Sequence, residues 1–130
     1  IGEIDDLMKG IRLGIDVFDC AVPTRLARHG MALAPDPETR FRMNLRRSDM
    51  VGDRLPLVEG CPCVACRDYD RDYINYISRS EELTAVRLMV EHNLTYMEEL
   101  MAGTRKAITA GTYESYSAAV LDGKAPWDAL

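Results

Sequence analysis

Three cysteines within six residues, Cys61-Pro62-Cys63-Val64-Ala65-Cys66, constrain this chain more than any other feature. Thiolates at C-x-C-x-x-C spacing can converge on one ion from a tight turn, and Pro62 stiffens that turn. The alternative, three reduced thiols in an open loop, is a redox liability. The fourth cysteine, Cys20, stands far from the trio, and no export signal is seen, so a disulfide framework is not expected. Three sulfurs need a fourth ligand to close a tetrahedral zinc site. The sequence offers His29, next to Arg28, and His92, in a long helical segment beside Met89 and Tyr96. If the Cys loop docks on that helix, the ligands are Cys61, Cys63, Cys66 and His92. A closed set of four leaves no position for water, so such a zinc is structural. Iron–sulfur ligation is a minor alternative, because a lone His ligand is uncommon there.

The segments around the cluster read mainly as helices. Residues 3–13 place Ile4, Leu7, Met8 and Ile11 at helical spacing, with Asp5 and Asp6 in the first turn and Gly14 as a stop. Ile15 to Cys20 alternates as a short strand that Pro23 ends. Residues 21–60 show no helical period, but Met31–Leu33 and Phe41–Leu45 can pair as a hairpin across Ala34-Pro35-Asp36-Pro37. A helix is expected over 67–77. Ser78 and Glu81 fit a capping box for a long helix from about 80 to 110, stopped by Gly111. In that helix Leu83, Val86, Val90, Leu94, Met97, Met101 and Ile108 share a stripe expected to pack, while Met89, His92, Tyr96 and Leu100 form a second face for the Cys loop. A last helix over 113–121 precedes a loose tail, Asp122 to Leu130.

The chain has 130 residues, 47% hydrophobic and 28% charged, which is ordinary globular composition and excludes disordered, collagen-like and coiled-coil classes. It is shorter than the roughly 200–250 residues of a complete barrel enzyme. No apolar run reaches the ~18 residues of a membrane span. The opening Ile1-Gly2-Glu3-Ile4 reads as the interior of something longer.

The net charge of −5 argues against a generic nucleic-acid binder, but residues 21–56 carry seven Arg and no Lys against four acidic groups. Arg makes planar, bidentate contacts to phosphate, so this segment can be a local nucleic-acid footprint; the plainer reading is a solvated surface with its own ion pairs. Asp19 closes the expected strand in Gly14-Ile15-Asp16-Val17-Phe18-Asp19-Cys20. The C-terminal strand ends of parallel barrels carry their chemistry, and a carboxylate there can act as nucleophile, base or metal ligand. The plainer reading is an Asp that caps a turn or pairs with Arg25.

Residues 14–25 (Gly-Ile-Asp-Val-Phe-Asp-Cys-Ala-Val-Pro-Thr-Arg), Arg28-His29-Gly30, the C-x-C-x-x-C cluster and His92-Asn93-Leu94, in that order, resemble the C-terminal part of bacterial-type tRNA-guanine transglycosylases. The resemblance covers about residues 1–115. It implies an α/β fold: the C-terminal portion of a (β/α)8 barrel with an inserted zinc-binding subdomain, mostly helical in this chain. Residues 1–30 would be the last helix–strand unit with the nucleophile and a tRNA-contacting loop. Residues 31–110 would be the zinc subdomain, and 111–130 a C-terminal helix and tail.

The resemblance also implies a function. The family exchanges guanine at the tRNA wobble position for a 7-deazaguanine base in queuosine biosynthesis. Asp19 matches its nucleophile, Cys61, Cys63, Cys66 and His92 match its zinc ligands, and Arg25 and Arg28 match its contacts to the tRNA anticodon loop. A cytoplasmic homodimer with one structural zinc per chain is implied. The family's base-recognition residues lie upstream of the matched region, so the isolated chain is expected to be inactive. The alternatives are a non-catalytic zinc-binding module or subunit, and a related enzyme acting on DNA.

Overall fold

In a computed structural model, residues 2–130 are described. Among the described residues, five α-helices and one hairpin are arranged around a long central helix. In chain order the elements are α1 (Ile4–Arg12), α2 (Val22–Arg28), β1 (Met31–Leu33), β2 (Arg42–Asn44), α3 (Val64–Asp68), α4 (Arg71–Arg79), α5 (Leu83–Ala110) and α6 (Tyr113–Leu121). α5 is the spine, and α2, α3, α4, α6 and β1 all pack on it. Gly111 ends it at φ +70, a left-handed position that Gly takes without a Cβ penalty.

The expected hairpin is present. β1 and β2 run antiparallel with Met31 opposite Asn44 and Leu33 opposite Arg42. Asp36 caps the turn between them by accepting the Glu38 N–H at 3.0 Å. The helices over 3–13, about 80–110 and 113–121 also form. The one expected over 67–77 is two helices, because Tyr69 is extended and Asp70 opens α4 as an N-cap, accepting the Tyr73 N–H at 2.8 Å.

Four expectations are corrected. Ile15 to Cys20 is not a strand: among the described residues no strand lies beside it, the Ile15 N–H turns back to the Gly10 carbonyl at 3.0 Å, and Val17 is 85% exposed. Pro23 does not end a strand but sits in the first turn of α2, where its missing N–H costs nothing. The Ser78–Glu81 capping box does not form. Ser78 is buried within α4, Glu81 turns the chain at φ +57, and α5 begins after Glu82 without a side-chain cap. The tail is not loose: Ala125 and Pro126 are buried and Trp127 packs on Tyr96.

The packing face of α5 is also shifted: Val90 and Met97 of the expected stripe pack half-buried against the core, but the deepest positions lie on the second face. Leu83, Leu94 and Ile108 are exposed, whereas Ala85, Leu88, Met89, His92, Asn93, Tyr96, Leu100, Gly103, Thr104 and Ala107 are buried. Counting aliphatics alone places His92, Asn93 and Thr104 outside. Each is admitted to the interior because it finds a polar partner there, and the small residues on this face let neighbouring elements approach. Thr104, for example, donates to the Leu100 carbonyl at 2.8 Å.

Candidate metal centre and its flanking residues

The Cys loop is shaped by its own backbone. Cys63 precedes α3, and its sulfur accepts the Cys66 N–H at 3.4 Å. The Cys66 sulfur accepts the Val58 N–H at 3.5 Å. The segment leading into the loop is held from α4, where Arg71 donates through Nε to the Pro56 carbonyl at 2.8 Å and through Nη2 to the Leu57 carbonyl at 3.1 Å. Asp53 completes this clasp with an ion pair to Arg71 at 3.1 Å.

The loop lies against the buried face of α5, as the second-face reading anticipated. His92 Nδ1 is 3.6 Å from Cys61 Sγ, 3.4 Å from Cys63 Sγ and 3.4 Å from Cys66 Sγ. The four ligand atoms lie within 4.8 Å of one another and all four residues are buried. Tetrahedral zinc with Zn–S near 2.3 Å and Zn–N near 2.05 Å separates sulfur from nitrogen by about 3.6 Å. The spacing therefore fits a small tetrahedral ion, and the donor set, three soft sulfurs and an imidazole, suits zinc.

His92 is also oriented from behind. Its Nε2–H donates to the Leu33 carbonyl at 2.8 Å, which leaves the Nδ1 lone pair of the neutral ring facing the sulfurs. Next to it, Asn93 accepts the Leu33 N–H at 2.7 Å and donates to the Pro23 and Met31 carbonyls at 2.9 and 3.1 Å. One turn of α5 thus fixes His92, β1 and the start of α2 together.

The electrostatics favour a cation. Hydrogen bonding to Cys63 and Cys66, together with burial, pushes the Cys61 thiol up, because three adjacent sulfurs cannot all ionise without a compensating charge. Burial resists charging His92, but hydrogen bonds to Cys63 and Cys66 and the charge of Cys66 outweigh it and raise the ring to about 9. A dication held between the sulfurs would supply the compensating charge that lets thiolates sit side by side.

Asp19, Arg25 and Arg28 form a separate group. Asp19 is exposed on the irregular segment before α2. Among the described residues its side chain neither caps α2, pairs with Arg25, nor makes another hydrogen bond. Arg25 and Arg28 are one turn apart on α2, both exposed, in a helix where a loop was expected. Six other Arg residues do have acidic partners: Arg12 pairs with Glu114, Arg42 with Glu3, Arg47 with Asp49, Arg54 with Asp70, Arg67 with Asp68 and Arg71 with Asp53. Of the seven Arg in residues 21–56, the plainer reading thus describes three. Asn93, Arg71 and Trp127 are site-supporting residues that the spacing did not single out; only the adjacency of Asn93 to His92 offered a signal, whereas Tyr96 lies on the face expected to receive the Cys loop.

The sequence matches the family model described as Queuine tRNA-ribosyltransferase over residues 1–125. It is 44% identical over 124 residues to the queuine tRNA-ribosyltransferase of Rhizobium meliloti, covering 95% of this chain and 32% of that protein. It is 40% identical over 122 residues to that of Symbiobacterium thermophilum, covering 94% of this chain and 30% of the relative. For the Roseiflexus sp. protein the identity is 42% over 113 residues, 87% of this chain and 28% of the relative. The chain therefore spans about a third of the length of the curated relatives it matches, and across that span it belongs to the queuine tRNA-ribosyltransferase family.

Proposed function

We propose that this chain supplies the nucleophile, the tRNA-contacting helix and the zinc centre of a tRNA-guanine transglycosylase, a pentosyltransferase. The observation that carries the reading is an exposed, unpaired Asp19 directly ahead of a helix presenting Arg25 and Arg28 to solvent, within a sequence that matches the family over most of its length. The Asp19 carboxylate attacks the ribose anomeric carbon at the wobble position. The bond to guanine breaks, with its electron pair leaving on the base, and a ribosyl–Asp19 ester forms. An incoming 7-deazaguanine base then displaces Asp19, the double displacement used by retaining glycosidases with a base in place of water. Extrusion of the target base from its stack precedes attack. Arg25 and Arg28 hold anticodon-loop phosphates and set register.

Cys61, Cys63, Cys66 and His92 hold one zinc, which closes the Cys loop onto α5 and takes no part in the exchange. A second copy of the chain is the partner we expect, and the exposed rings of Tyr73 and Tyr76, three residues apart on α4, are available to it. Among the described residues no helix is long and apolar enough to cross a membrane. We place the protein in the cytoplasm because its substrate is tRNA.

The test uses the full-length protein that contains these residues. Incubated with tRNA and run on a denaturing gel, it is expected to give a covalent protein–tRNA band that Asp19→Ala abolishes. A band that persists in Asp19→Ala contradicts the nucleophile, and no band from the unaltered protein favours the non-catalytic subunit.

A further inference from the structure

Beyond the four ligands, one aromatic contact closes the metal centre from outside. The Tyr96 ring is fully buried between His92, 6.2 Å away by centroids, and Trp127, 5.7 Å away and edge-on at 75°. The Trp127 indole N–H donates to the Glu59 carbonyl at 3.1 Å, two residues before Cys61. Gly60, between them, sits at φ +77, and a Cβ there would lie 2.8 Å from the indole nitrogen. The tail therefore touches both halves of the site: the Cys loop through Glu59 and Gly60, and the His92 helix through Tyr96. Burial of Ala125 and Pro126 anchors it just before the indole. Trp127 lies past residues 1–125, the stretch that matches the family model.

We propose that the C-terminal tail is a strap over the metal centre and that Trp127 is a positioning residue that sets how fast the ion leaves. The inference rests on reading Cys61, Cys63, Cys66 and His92 as a zinc site. For the ion to escape, the Cys loop must swing away from α5. The loop's outer edge is pinned to Trp127, and Trp127 meets edge-on the Tyr96 ring that lies tilted beside His92. Undocking the strap must come first. Trp127 adds nothing to the ligand set, so its effect falls on release more than on initial loading.

The test follows zinc transfer from the zinc-loaded full-length protein that contains these residues to a colorimetric chelator. The unaltered protein, Trp127→Ala, Trp127→Phe and the remote surface control Leu83→Ala are compared. All four are expected to begin with the same zinc content. Loss of an aromatic edge contact and a hydrogen bond predicts release at least about tenfold faster in Trp127→Ala. Trp127→Phe keeps a ring but loses the N–H, so its release is expected to be about threefold faster. It decides the matter if Trp127→Ala does not fold. Leu83→Ala should release at the unaltered rate. Equal rates in all loaded proteins overturn the strap. An unaltered chain that retains no zinc overturns the metal reading on which it rests.

Discussion

His92 and Leu33 are joined by a 2.8 Å hydrogen bond from the imidazole Nε2 to the strand carbonyl, while Asn93, the next residue, accepts the N–H of the same leucine. Both backbone groups of one β1 residue are thus held by consecutive side chains of α5. The position of the hairpin and the orientation of the His92 ring are consequently one structural variable. Removing either partner should disturb both.

Cys63→Ser and His92→Ala are expected to lower bound zinc well below one per chain, measured by elemental analysis. Metal removal should lower stability by at least about 4 kcal/mol, the linkage expected when free metal exceeds its Kd a thousandfold. Thermal melts with and without chelator check this. Unchanged melting on complete metal removal contradicts it.

Asn93→Leu is close in size and tests the clamp without touching a ligand. Three hydrogen bonds are lost, and the Leu33 N–H and the Pro23 and Met31 carbonyls lose their partner in the interior. At 1–3 kcal/mol for each unsatisfied buried group, partial rearrangement still leaves a loss of about 3 kcal/mol. Urea unfolding measures it, and a loss under about 1 kcal/mol would mean the clamp is dispensable.

The clasp feeding the Cys loop should weaken in acid. The Leu55 N–H, with Arg71, holds Asp53 below its ordinary value, and the Tyr73 N–H, with Arg54, does the same for Asp70. A carboxylate with a lowered folded-state pKa adds stability above its unfolded value of about 3.9 and loses it as pH falls through the folded value. Asp53→Asn should therefore cost stability at pH 7 and progressively less as the pH is lowered below 4. Urea midpoints of the two proteins should converge in acid; parallel curves contradict the assignment.

Gly103→Ala sets two effects against each other. Ala gains about 1 kcal/mol over Gly in a helix interior. Here, however, the new Cβ would lie 2.3 Å from the Tyr116 hydroxyl and 2.7 Å from its ring carbon. That ring is buried and its hydroxyl donates to the Leu100 carbonyl at 3.1 Å, so it cannot simply move aside. Overpacking of this kind costs about 1–3 kcal/mol, and a net loss is expected. A higher melting temperature would show that α6 yields freely.

The elements with local signatures were legible in the sequence. Gly111 marked the end of α5, the Pro35–Pro37 turn marked the hairpin, and the spacing of Cys61, Cys63 and Cys66 marked the cluster. His92 was reachable because it shared a helix face with Met89 and Tyr96. Elements that depend on partners elsewhere were not legible. Ile15 and Val17 alternate like a strand, but pairing needs a neighbour that none of the described residues provides. The buried face of α5 was misjudged because Asn93 and Thr104 look like surface residues until their acceptors are known. Trp127 gave no signal, since nothing in Asp122 to Leu130 shows that Gly60 and Tyr96 are waiting for it.

The central claim is that three sulfurs and one imidazole nitrogen close around a single zinc. Zinc K-edge X-ray absorption on the metal-loaded protein tests it most directly. The account predicts three sulfur scatterers near 2.3 Å and one nitrogen near 2.0–2.1 Å. A first shell of oxygen and nitrogen alone, or a fourth sulfur in place of the imidazole, would contradict it.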